Sequence, residues 1–188
     1  MKSRSETGVT TVISTQAGWI GISFSPIGLK RLTLPCKSQR DAEIQLHVKP
    51  GVNTSVSHVI DDIEKQLNEY FNGRLTMFQC DLDLTVGTSF QHDVWEKAMS
   101  IPYGEIRSYG WLANEIGKIG ANRAVGQALA KNPVPIIVPC HRVIYSGGEL
   151  GGFGGRANIR EFKRKLLILE GATIHRDLVT CSSPKDAC

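Results

Sequence analysis

The chain has 188 residues, 41% of them hydrophobic, and a formal charge of +4 at neutral pH. That length holds one domain or two small ones with a real core, and no apolar run reaches the roughly 20 residues of a membrane span. Lys plus Arg against Asp plus Glu stands at 9 to 9 in residues 1–88 and at 13 to 9 in residues 89–188, so only the second half leans towards a polyanionic partner.

The segment Met1–Thr10 is polar and lacks the apolar core of a signal peptide, so a cytoplasmic protein is expected, or a nuclear one in a eukaryote. Residues 9–24 carry Val9, Val12, Ile13, Ile20, Ile22 and Phe24, interrupted by Gly18 and Gly21, which is a hairpin pattern. Gly28–Leu34 suggests a further short strand, and Pro50-Gly51 a turn. Ser57 is placed to cap a helix in which Val59, Ile60, Ile63, Leu67 and Phe71 recur at helical spacing, with Asn72-Gly73 as its stop. Asp81–Leu84 alternates like an edge strand.

A domain boundary is expected near Gly87. Thr88 and Gln91 then form a capping box, and Phe90, Val94, Trp95 and Ala98 make the buried stripe of the helix it opens. Ile101–Gly104 is a turn. Ser108 caps a short helix with Leu112, Ala113 and Ile116 inward and Gly117 at its end; after Lys118–Gly120, Asn122 caps a second one carrying Val125 and Leu129, stopped by Asn132-Pro133. Two short helices joined by a glycine turn make a helix-turn-helix candidate. The apolar run Pro135–Pro139 leads into Cys140-His141-Arg142-Val143, and a glycine-rich stretch runs from Gly147 to Gly155. Asn158 with Glu161 opens a last helix that buries Phe162, Leu166 and Leu169 and ends at Gly171; the tail from Asp177 is expected to fray.

Five cysteines are present, an odd number with no CxxC pair, so neither a disulfide framework nor a zinc ribbon is suggested. Cys140 stands apart from the rest because His141 follows it where a buried run ends. Neighbours on an extended strand point to opposite faces, so cooperation between them requires a turn at this point, for which Pro139 supplies the break. With such a turn His141 can take the thiol proton, and a carboxylate such as Glu170 would orient the imidazole. Taken alone, a Cys-His pair is equally what a small buried hydrophobe beside an ordinary histidine would give.

Pro139-Cys140-His141-Arg142-Val143 resembles the signature of the O6-alkylguanine-DNA alkyltransferases. Asn132–Pro135, Gly87–Gln91, Ile101–Glu105, Ser108-Tyr109, Ala121–Gly126 and Leu166–Gly171 are similar to that family's other segments, in the same order. The resemblance covers roughly residues 67–172 and is looser before them. It implies an α+β fold of two domains: a small ribonuclease-H-like α/β domain over residues 1–86, and a mostly helical winged helix-turn-helix domain over residues 87–176 that binds DNA and holds the alkyl acceptor.

The resemblance also implies roles. Cys140 accepts the alkyl group, His141 removes its proton through a water, and Glu170 supports His141. Asn132 ties the recognition helix to the active-site turn, and Tyr109 donates to N3 of guanine. The carbonyls of Cys140 and Val143 accept from the exocyclic amine, and an N–H near Gly154 meets O6. Arg123 fills the gap left in double-stranded DNA when the damaged nucleotide is flipped out. Ala121, Ala124, Gly126 and Ala128 let its helix lie close in the minor groove, whose readout is poor in sequence information, and Asn122 belongs with the DNA-binding residues. Phe153, Gly154, Gly155 and Lys163 belong with the substrate and DNA site. Phe153 stands where many members have tyrosine, Gly154 where some have serine, and extra residues around Arg156–Ile159 alter the rim. Transfer to sulfur leaves a thioether without an easy hydrolysis route, so one turnover by a monomer is expected, with no cofactor and no metal. The alternatives are a damage reader of the alkyltransferase-like type, which lacks the acceptor cysteine; a transcription regulator built on the helix-turn-helix; and a cysteine hydrolase, which would turn over.

Overall fold

The computed structural model describes residues 8–47, 57–151, 157–175 and 178–180, and its fold is α+β. The chain divides into two compact units, one of residues 1–86 with Pro133–Pro135, the other of residues 87–132 and 136–188.

In the first unit β1 (Val9–Thr15) and β2 (Gly18–Phe24) pair antiparallel from Val9 opposite Phe24 to Thr15 opposite Gly18, and β3 (Leu29–Leu32) adds to β2. Period-two alternation puts Val9, Ile13, Ile20, Ile22 and Phe24 in the core, and a register shift in the β2–β3 pairing lets Leu29 and Leu32 join them. Asp81–Leu84 does not extend into the edge strand its alternation suggests. It makes a single parallel bridge, with Leu82 beside Leu29, the Leu29 N–H donating to the Asp81 carbonyl and the Asp83 N–H to the Leu29 carbonyl.

A helix that the alternation does not announce, α1 (Gln39–Leu46), is capped by Ser38, whose hydroxyl accepts from the Asp41 N–H. It buries only Ala42 and Leu46, too narrow a stripe for periodicity to register. The long helix α2 spans Ser57–Phe71, so Ser57 is its first turn and not its cap. Ile60, Ile63, Leu67 and Tyr70 are buried, whereas Val59 and Phe71 are half-buried at the edges of that stripe.

The second unit opens with α3 (Ser89–Met99), held by the reciprocal Thr88–Gln91 capping box. It buries Val94, Trp95 and Ala98, with Phe90 half-buried, and the Trp95 indole donates to the Ala128 carbonyl at 2.9 Å. A two-residue parallel pair joins β4 (Arg107–Ser108) to β5 (Val143–Ile144). Ser108 caps α4 (Tyr109–Glu115), which is followed by α5 (Asn122–Ala130). Asn122 is the first helical residue of α5; the cap position falls on Ala121, which makes no side-chain cap bond, so the α5 start rests on packing and not on a polar cap. The turn between these helices needs Gly117 at φ 67° and Gly120 at φ 80°.

Helix α6 spans Ala157–Leu169, so Asn158 lies inside it and the cap position falls outside the described residues. Its buried face is Lys163, Leu166 and Leu167, continued by Glu170; Phe162 and Leu169 are half-buried. The chain beyond it does not fray at once: β6 (Thr173–His175) pairs antiparallel with β7 (Leu178–Thr180). Val179 enters a small core with Ile106, Ile144, Leu150, Leu167 and Ala172, which holds the end of α6 in place. Residues 181–188 lie outside the described ones.

Gly21 tests the packing of the first unit. A Cβ there would sit 2.5 Å from Leu46 Cγ and 3.2 Å from the Ala42 carbonyl oxygen. Gly21→Ala is expected to destabilise the first unit by about 2 kcal/mol in urea unfolding. A wild-type midpoint would mean that α1 yields freely.

Candidate active site

The site lies in the second unit and begins where α5 ends. Asn132 is half-buried, and its Nδ2 donates to the Val138 carbonyl at 2.9 Å and to Cys140 Sγ at 3.2 Å. One amide thus fixes both the loop and the thiol. The run Pro135–Pro139 is a turn instead of a strand, with Ile136 at φ 80°. Its two prolines have no N–H for a ladder, and the buried loop holds a β-branched residue in the left-handed region.

Pro139 then breaks the extended path, with ψ at 59°, and Cys140–Arg142 form a single 3-10 turn closed by the Arg142 N–H on the Pro139 carbonyl. This is the break that cooperation between Cys140 and His141 requires. Both residues are buried.

Glu170, just past the end of α6, is the charged centre of the site. Its Oε1 lies 2.9 Å from His141 Nε2 and accepts from Arg142 Nη2 at 2.9 Å. Its Oε2 accepts from Arg142 Nε at 2.8 Å and from the Gly104 N–H at 3.3 Å. Arg142 Nη1 donates to the Ile101 carbonyl, and its guanidinium lies over the Tyr103 ring, whose hydroxyl donates to the Leu169 carbonyl. The turn at residues 101–104 therefore ties the end of α6 to the 3-10 turn.

These contacts set the protonation states. Burial pushes the Glu170 carboxyl up, but the hydrogen bonds and charges of His141 and Arg142 outweigh it and hold the group down at about 2. Burial pulls His141 below its ordinary value against the pull of Glu170, with Arg142 and Lys163 adding to the downward shift. A neutral imidazole facing an ionised carboxylate must carry its proton on Nε2, which leaves the lone pair on Nδ1. Burial raises the Cys140 thiol, while the Asn132 amide and the Lys163 charge favour its thiolate.

Tyr109 is the first residue of α4 and is buried; burial pushes its hydroxyl up, so it stays a donor. Lys163 is not a surface contact. It is fully buried, donates to the Val143 carbonyl at 2.5 Å and lies 5.8 Å from the Tyr109 ring centroid. Burial lowers its ammonium to about 8, with Cys140 opposing the shift. Val143 is buried beside it, so its carbonyl, expected to meet the base, already accepts from Lys163.

Asn122, Arg123 and Ala124 are exposed on the first turn of α5, Ala121 and Gly126 are half-buried, and Ala128 is buried. Phe153, Gly154, Gly155 and Arg156 lie outside the described residues. Among the described residues, no group of three or more His, Cys, Asp or Glu is placed to hold a metal ion, and no helix is long and apolar enough to cross a membrane.

Spacing alone does not mark Arg142 as an ion of the site, and Ile101–Gly104 reads only as a turn within a family segment. The available signal was electrostatic: a buried carboxylate beside a neutral histidine needs a cation, and Arg142 is the neighbouring one.

Residues 89–172 match the family model for the DNA-binding domain of 6-O-methylguanine DNA methyltransferase. A methylated-DNA–protein-cysteine methyltransferase of Mycobacterium tuberculosis is 55% identical over 113 residues, 60% of this chain and 66% of that protein. The chain thus spans just under two thirds of that relative's length. The protein of the same name in Methanosarcina barkeri is 50% identical over 156 residues, 82% of this chain and 94% of that one. Mycobacterium tuberculosis OGT, solved in complex with DNA, superposes with a TM-score of 0.68 at 40% identity, covering 86% of this chain and 91% of that one.

The lowered Glu170 carboxyl carries a signed consequence. Its stabilisation is complete above the ordinary carboxylate range and is lost as pH falls through about 2. Glu170→Gln should cost about 3 kcal/mol in thermal melts at pH 7, because Arg142 then keeps a buried charge without its counter-ion. The gap to wild type should narrow as pH drops from 4.5 towards 2. A gap independent of pH would mean that the carboxylate charge contributes nothing.

Proposed function

This chain belongs to the methylated-DNA–protein-cysteine methyltransferase family, and on that premise we propose that it repairs double-stranded DNA by moving an alkyl group from O6 of guanine to Cys140, once per molecule. The observation that carries the reading is the thiol itself. Cys140 heads a buried turn, accepts from Asn132, and is followed by a histidine held by an ionised Glu170. A damage reader without transfer would need neither the thiol nor the base.

The resting site holds a protonated thiol and a neutral His141, because burial disfavours both charges. As the alkyl carbon approaches, His141 takes the thiol proton through a water, and Glu170 stabilises the imidazolium that forms. The sulfur–carbon bond forms as the carbon–O6 bond breaks. Tyr109 offsets the charge left on the leaving guanine by donating to N3. Asn132 and the Lys163 ammonium offset the charge on sulfur. The thioether product has no hydrolytic exit, so the protein is consumed.

In the same reading α4 and α5 are the helix-turn-helix of a winged domain, and the first unit is ribonuclease-H-like. The exposed first turn of α5 enters the minor groove of the DNA, Arg123 takes the place of the flipped nucleotide, and small residues beside it permit close approach. The protein acts as a monomer in the cytoplasm, or in the nucleus in a eukaryote.

Intact-protein mass after mixing with DNA carrying one O6-methylguanine tests this. One methyl group per protein at most, mapped to Cys140 and missing in Cys140→Ala, is the expected result. Binding without mass gain would leave a damage reader, and lesion loss exceeding the protein present would make it a turnover catalyst. Arg123→Ala should slow transfer about 10-fold without lowering the melting temperature; an unchanged rate removes Arg123 from the flipping step.

A further inference from the structure

Tyr145 is an aromatic residue of the second unit that packs on Tyr109 and that the reaction described above leaves unused. Its side chain is unlike a core tyrosine: the residue is 53% exposed, yet its ring packs on a buried one. The Tyr109 and Tyr145 centroids are 5.2 Å apart with planes at 55°, a tilted aromatic pair.

The backbone explains the pairing. In the parallel β4–β5 ladder Arg107 lies opposite Val143 and Ser108 opposite Ile144, so the next residues in register are Tyr109 and Tyr145. Past that point α4 begins on one side. On the other a tight turn follows, in which the Gly148 N–H donates to the Tyr145 carbonyl and the Tyr145 N–H to the Glu149 carbonyl. The Tyr145 backbone is thereby fixed at both its polar groups.

Gly151 shows how closely the rings are held. A Cβ there would sit 2.8 Å from Tyr109 Oη, 3.0 Å from Tyr109 Cε2 and 3.3 Å from Tyr145 Cε2, and its φ of 69° belongs to the left-handed region. A Cβ on Gly126 would meet another edge of Tyr109 at 3.7 Å, and Lys163 Nζ stands over its face. Three of the neighbours that set the direction of the Tyr109 hydroxyl are therefore the glycine at 151, the lysine and Tyr145. Of these Lys163 is buried, Gly151 is half-buried and Tyr145 is exposed, so the Tyr145 ring lies on the wet side of the pair.

We propose that Tyr145 is a positioning residue for alkyl transfer: its ring, packed on Tyr109 by the β4–β5 register, aims the Tyr109 hydroxyl at the leaving base. The inference rests on the transfer reading given above. It acts through the ring and not through the Tyr145 hydroxyl, and it acts on the transfer step and not on the hold on DNA.

The test is single-turnover transfer from DNA carrying O6-methylguanine, with the maximal rate separated from the half-saturating DNA concentration. Tyr145→Ala should lower the maximal rate about five-fold, the scale of one lost aromatic pair, and leave half-saturation and the affinity for undamaged DNA unchanged. Tyr145→Phe should restore most of the rate, because the ring remains. Because the side chain is half in water, circular dichroism of Tyr145→Ala is expected to match wild type; a variant that loses its folded spectrum makes Tyr145 a structural residue and overturns the assignment. So does a wild-type rate in Tyr145→Ala, a Tyr145→Phe as slow as Tyr145→Ala, or a change confined to half-saturation. Failure of the transfer reading looks different: the wild-type protein would then gain no methyl group at all.

Discussion

The second unit is organised around one buried carboxylate with more donors than a surface acid ever meets. Glu170 accepts from two nitrogens of Arg142 and from the Gly104 N–H, and it faces His141. The network joins three pieces of chain: the 3-10 turn after Pro139, which supplies His141 and Arg142, the turn at residues 101–104, and the end of α6, which is followed by Glu170 itself. An ion in that position is costly to bury, and only this many partners repay its desolvation. Once made, the network leaves little freedom to the residues that carry it. Cys140 is fixed from the other side, through the Asn132 amide that follows α5. The thiol, its base and the helix proposed above to meet DNA are thus coupled through backbone segments a few residues long.

The same ion decides which groups can do chemistry. Because Arg142 shares the carboxylate, Glu170 is a poor base, and its part is to hold the Nε2 proton of His141 in place. Because burial opposes charge on both Cys140 and His141, neither is ionised in advance. In the proposed reaction the proton therefore moves when an electrophile arrives, which suits a thiol that must survive intact until it is used. Lys163 is the counterweight: a buried ammonium near the sulfur favours the thiolate, and burial lowers its own value to about 8 against the pull of Cys140. Its hydrogen bond to the Val143 carbonyl also means that a base presenting an amine there must share that acceptor or displace the lysine.

Much of this was legible in the residues. The Thr88–Gln91 box, the Ser108 cap, the two short helices and the need for a turn at Pro139 follow from local rules, because caps and prolines act within four residues of themselves. Assigning roles to Cys140, His141, Glu170 and Asn132 took the family resemblance, since nothing in spacing says that a glutamate 29 residues away faces a histidine. What stayed hidden was set by tertiary context. Lys163 is expected at the substrate and DNA site and is fully buried, Asn122 reads as a cap and is not one, and α1 buries too few residues to leave a period. Leu178–Thr180 looks like tail, yet pairing with β6 and one buried valine make it a strand. Arg142 was in plain view beside His141, but its function depends on a carboxylate brought close only by folding.

The central claim is that Glu170 fixes His141 as a neutral base with its proton on Nε2 and its lone pair on Nδ1. Nitrogen-15 NMR of the histidine rings in the unalkylated protein at pH 7 tests it most directly, with His141 assigned by the resonance lost in His141→Gln. The account predicts a neutral ring, protonated at Nε2 and bare at Nδ1, that stays so until the pH falls well below the ordinary histidine range. A ring that is an imidazolium at pH 7, or one protonated at Nδ1, would leave Cys140 without the base assigned to it and would contradict the account.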